Sequence, residues 1–65
     1  MFVHLTTQSG QTISFNNVHI NSSPNGYQGH RIAPNNIIHT ITIVNGTYHD
    51  SGLPSPIHVT QVKLS

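Results

Sequence analysis

Hydrophobic and polar residues alternate along most of this chain with the two-residue period of a β-strand. Phe2-Val3-His4-Leu5-Thr6-Thr7 and Gln11-Thr12-Ile13-Ser14-Phe15 flank Gln8-Ser9-Gly10, the pattern of two strands around a glycine-containing hairpin turn. Pairing of the two sets Val3 and Leu5 on one face with Ile13 and Phe15 opposite them. Val18-His19-Ile20 extends or restarts the second strand after Asn16-Asn17, a pair suited to a bulge or bend. Asn21 to Gly29 carries Pro24, Gly26 and Gly29 among small polar residues, which predicts the main loop.

After the short segment His30-Arg31-Ile32-Ala33 and a turn at Pro34-Asn35-Asn36 comes Ile37-Ile38-His39-Thr40-Ile41-Thr42-Ile43-Val44, the strongest strand pattern in the chain. It has neither charge nor proline, so as a bare edge it would invite pairing with other chains. It is therefore expected to be central in a sheet or covered by a partner. This makes Ile37, Ile38, Ile41, Ile43 and Val44 the candidate protein-interface residues. Asn45-Gly46 supplies a type I′ hairpin turn into Thr47-Tyr48-His49. Asp50 to Pro56 reads as a loop stiffened by Pro54 and Pro56. In the last strand, Ile57 to Leu64, the apolar residues change parity between Val59 and Val62, which predicts a bulge near Thr60-Gln61 or burial of both faces.

Helix has little support, because there is one Ala and no Glu, and Gly, Pro or Asn-rich breaks recur along the chain. The pattern predicts an all-β fold: residues 1–65 form a single small antiparallel barrel or sandwich of about five or six short strands. The alternative is a chain that completes its core only by oligomerisation or strand exchange. The length makes this need concrete, since 65 residues bury too little surface for a comfortable margin and the absence of cysteine excludes disulfides.

Charge narrows the function classes. Only 5% of residues are charged, and the two cations, Arg31 and Lys63, cannot form the basic patch that nucleic-acid binding requires. No apolar stretch approaches the ~20 residues of a membrane span, and no basic amphipathic run suggests a membrane surface. The start, Met1-Phe2-Val3-His4, lacks the basic region of a signal peptide. Ordinary soluble domains carry roughly a quarter of their residues as charged side chains. A polar surface made instead of Asn, Gln, Ser, Thr and His suits protein packed against protein, where Lys, Glu and Asp are depleted.

Six histidines are the one compositional excess with chemical content. His4, His19, His39 and His58 each sit within a strand pattern, where a ring faces away from the side its neighbours occupy. They are the candidate ligands for a divalent transition metal, with Asp50 the only side-chain carboxylate able to join them. Without a His-x-His or His-x₃-His pair the metal signal is weak, and no cofactor is the first expectation. Protonation of all six would carry the formal charge from +1 to +7, enough to strain an interface of identical chains.

Catalysis has less support still. Ser51 or Ser55 with His49 and Asp50 matches no nucleophile elbow, one carboxylate cannot supply the pair of a glycosidase, and Gly26-Tyr27-Gln28-Gly29 lacks the lysine of a phosphate loop. Tyr27 and Tyr48, in or beside predicted loops, are the candidate ligand-binding residues if the domain stacks on sugars or a protein ligand. The leading expectation is a non-enzymatic structural protein. It would be a small cement, decoration or tail-associated component of a virion or other extracellular assembly, packed against larger subunits or copies of itself. A glycan- or protein-binding module and a histidine-metal-stapled domain are the alternatives.

Overall fold

A computed structural model describes residues 1–65 as an all-β protein. Seven strands follow one another: β1 (Val3–Thr7), β2 (Thr12–Phe15), β3 (Val18–Ser23), β4 (Gly26–Ile32), β5 (Ile38–Val44), β6 (Thr47–Asp50) and β7 (Ile57–Leu64). All pair antiparallel in one sheet of order β2-β1-β7-β6-β5-β4-β3. The last strand is the joint of the sheet: Ile57 and His58 pair with β6, while Val59 and Gln61 to Leu64 pair with β1.

The chain's connectivity forces this sheet to roll. Its outermost strands, β2 and β3, are joined only by Asn16 and Asn17. Flat, seven strands about 4.8 Å apart would separate those edges by roughly 29 Å. Three Cα steps of 3.8 Å cover no more than about 11 Å. The edges therefore come round toward each other, and the overall extents of 30 × 26 × 23 Å are those of a rolled body. Between them Val18 exchanges backbone contacts with Met1, N–H to O at 3.1 Å and amino terminus to carbonyl at 3.3 Å, while Asn17 sits at φ 55° in the turn. No ladder joins β2 to β3, so the sheet stays open and is neither the closed barrel nor the sandwich that the sequence predicts.

The concave face holds the core: Val3, Leu5, Val18, Ile20, Ile41, Ile43, Tyr48 and Val59, with Ile13, Phe15, Tyr27, Leu53, Ile57 and Val62 packed against it. Val3 opposes Phe15 and Leu5 opposes Ile13, as the alternation requires. Asn45 at φ 51° and Gly46 at φ 73° make the β5–β6 turn, the two left-handed positions of type I′. The parity change in β7 is a bulge: Thr6 pairs with Gln61 and Thr7 with Val59, leaving Thr60 unpaired, so Val59 and Val62 both turn inward.

The Asn21–Gly29 segment is the principal departure. It is not a loop but most of a hairpin, with β3 and β4 in register from Val18↔Arg31 to Ser23↔Gly26 around Pro24-Asn25. Its inward positions hide the strand signal, because one is serine and one is glycine. A Cβ on Gly29 would lie 2.0 Å from the His19 carbonyl oxygen and 2.7 Å from the Ile20 Cα, so only glycine lets β3 approach β4 this closely. This hairpin raises the strand number above the expected five or six.

Candidate functional site

The chain's few charges are mostly spent inside. Arg31, on the inner face of β4, reaches to β6 and donates from Nε to Asp50 Oδ2 at 2.7 Å and from Nη2 to Oδ1 at 2.9 Å. Tyr48, two residues before Asp50 and hence on the same face, donates its hydroxyl to Oδ2 at 2.7 Å, and the Gly52 amide donates to Oδ1 at 2.8 Å. The Asp50 side chain has no exposure and that of Arg31 11%. Burial alone would push the Asp50 carboxyl up, but the bonds from Arg31, Tyr48 and Gly52 outweigh it and hold the group below the usual carboxylate range. Burial and the bond to Asp50 push the Tyr48 hydroxyl up. Phe15 of the edge strand covers the network, with its ring 4.8 Å below the guanidinium carbon and stacked on Tyr48 at 5.6 Å.

This network leaves Lys63 as the one charged side chain free of an ion pair. Sequence reasoning places Asp50 at the head of a loop and so misses the pair. The available signal was the Tyr48-x-Asp50 spacing, which puts a lone acid on the face of a core tyrosine. Asp50 and His49 point to opposite faces of β6, and Ser51 Oγ accepts from the Thr40 amide at 2.9 Å. No Ser–His–Asp relay is assembled there.

The candidate interface residues divide. Ile41 and Ile43 lie in the chain's own core, 0% and 4% exposed, and Val44 is half-buried. Ile37 and Ile38 stand out at 52% and 65% exposure. Ile38 opposes the half-buried Ile32 on β4, giving the outer face an apolar row. Met1, Phe2 and Leu64 are also exposed, where Phe2 and Ser65 bond backbone to backbone and the Phe2 ring stacks on His4 at 5.7 Å.

The candidate metal ligands do not gather: His4 is on β1, His19 on β3, His39 on β5 and His58 on β7, and nowhere do three or more His or acidic side chains converge. Both ring nitrogens of His4 are engaged, Nδ1 with Ser14 at 2.8 Å and Nε2 with Ser65 at 2.9 Å. His39 shares the inner face of β5 with Ile41 and lies against Gly52. His19 instead meets His30, a residue the sequence pattern did not single out, with ring centroids 5.2 Å apart.

The candidate ligand-binding tyrosines also part company. Tyr48 is fully buried, whereas half-buried Tyr27 lines a cavity of about 200 Å³ with Asn25, Asn45, Gln61 and the Thr60 bulge. A second hollow, about 340 Å³, lies under Leu53 to Pro56 against Thr40, Thr42 and His49. No family model, curated protein or solved structure matches this chain.

Proposed function

We propose that this protein is a non-enzymatic assembly component that works by packing against other protein subunits. Its most concrete setting is a virion or other extracellular particle, as a small cement, decoration or tail-associated protein bound to larger subunits, to copies of itself or to both. The observation that carries this reading is the surface left when Arg31 and Asp50 neutralise each other inside: Lys63 is the only free charged side chain, while Ile37, Ile38, Met1, Phe2 and Leu64 are exposed. Such a surface lacks the charge that keeps a free small domain dispersed and resembles the residue usage of an interface. Neither nucleic acid nor a membrane is part of the proposal.

Ile38→Lys and Phe2→Ser test it, since both side chains are exposed and neither variant disturbs the core. Sedimentation of the native assembly should show at least one of these variants released from it while still folded. Full incorporation of both would sink the reading. Tyr27 and its cavity support a second reading, a small glycan- or protein-binding module, in which Tyr27 stacks on the ligand and Asn25, Asn45 and Gln61 bond to it. Loss of glycan-array binding in Tyr27→Ala would favour that module, and an array blank for the parent protein would remove its glycan form.

A further inference from the structure

We propose that His19 and His30 form a two-imidazole site for a divalent transition cation on the outer face of the β3–β4 hairpin. The two residues are direct cross-strand partners, and their alternation with Val18, Ile20 and Arg31 turns both rings outward. Both are exposed, their ring centroids are 5.2 Å apart with planes at 29°, and neither ring nitrogen has a hydrogen-bond partner within the protein. Directly opposed strand residues hold their Cβ atoms about 4.5–5.5 Å apart. Rotation of two exposed rings from that base brings two nitrogens to one ion at the usual metal–nitrogen distance of about 2.1 Å.

The strands here are also held unusually close. Gly29, next to His30, leaves no room for a Cβ against the His19 carbonyl and the Ile20 Cα, and six paired positions with β3 and seven with β5 hold β4 between its neighbours. A rigid base fixes the spacing of the two imidazoles before the ion arrives, which is what makes a chelate stronger than two separate ligands. None of the other histidines has such a partner. His4 has both nitrogens occupied, His39 is covered by Gly52, and His49 and His58 oppose Thr42 and Thr47.

Two nitrogens leave the remaining coordination positions to water, an open arrangement that suits imidazole-preferring ions and favours Cu²⁺ over Ni²⁺ and Zn²⁺. The test is titration of the intact protein with Cu²⁺ alone, followed by calorimetry and by the nitrogen couplings of the electron paramagnetic resonance spectrum. Parent protein should bind one ion with two equivalent-type imidazole nitrogens. His19→Gln and His30→Gln should each lower the affinity by about tenfold or more, because the second imidazole otherwise binds intramolecularly. His4→Gln, His49→Gln and His58→Gln should bind as the parent does. Cu²⁺ should also raise the melting temperature of the parent and not of the His19→Gln/His30→Gln double variant, whose exposed positions leave its fold intact by circular dichroism. Unchanged affinity in both single variants, a one-nitrogen spectrum, or loss of binding in His4→Gln or His58→Gln instead would overturn the assignment.

Discussion

Arg31 and Asp50 meet through two hydrogen bonds of 2.7 and 2.9 Å across the inner face of the sheet, joining β4 to β6 over the intervening β5. Removing one member of a buried pair leaves the other desolvated and uncompensated, which costs roughly 3–5 kcal/mol. A domain of this size has a total stability of only about 3–10 kcal/mol. Asp50→Asn and Arg31→Met should therefore each lose a large share of the fold's stability. The double variant should be less destabilised than the two losses added together. Urea denaturation of the four proteins measures this, and strictly additive losses would show that the pair does not couple.

The same network sets the pH range of the fold. Asp50 is the only side-chain carboxylate, and its ionisation is favoured in the folded state, so its contribution is intact above the unfolded-chain value near 4 and is lost as pH falls through the lower folded value. Tyr48 acts in the opposite sense: its folded value is raised, so its contribution is intact below the unfolded value of about 10 and is lost as pH rises through the folded one. Urea midpoints should fall below about pH 4 and above about pH 10. Asp50→Asn, studied under stabilising salts, should flatten the acid limb, and an acid limb of unchanged slope would assign it elsewhere.

Two glycines separate close approach from backbone twist. Gly29→Ala places a Cβ 2.0 Å from the His19 carbonyl oxygen and should cost more than about 3 kcal/mol, because backbone rather than a mobile side chain is in the way. Gly10→Ala, at φ 86° with nothing within 4 Å, meets only conformational strain and should cost about 1 kcal/mol. Thermal melts of the two variants should differ accordingly. Equal losses would mean that β3 and β4 separate without penalty.

A lysine on β5 should read out which face of the strand is core. Ile41→Lys forces a charge into a fully buried position and should abolish folding. Ile38→Lys, at 65% exposure, should change stability by no more than about 0.5 kcal/mol. Amide exchange of the two variants distinguishes them, and a folded Ile41→Lys protein would contradict the assignment of the inner face.

Strand positions, the β1–β2 register, the Asn45-Gly46 turn and the Thr60 bulge were legible because each depends on local alternation or on a residue suited to φ > 0. The β3–β4 hairpin was not, since two of its inward positions, Ser22 and Gly29, carry no hydrophobic signal. The roll of the sheet follows from the two-residue β2–β3 link only once the strand order is known. The Arg31–Asp50 pair joins β4 to β6 through the strand order, which spacing does not give, and the His19–His30 pair follows from spacing only once the hairpin about Pro24-Asn25 is known.

Native mass spectrometry of the protein taken from its natural source tests the central claim most directly, because one spectrum reports stoichiometry and co-purifying protein together. The account predicts a homo-oligomer or a complex with a larger subunit. A monomer without any protein partner, persisting at high concentration, would contradict it.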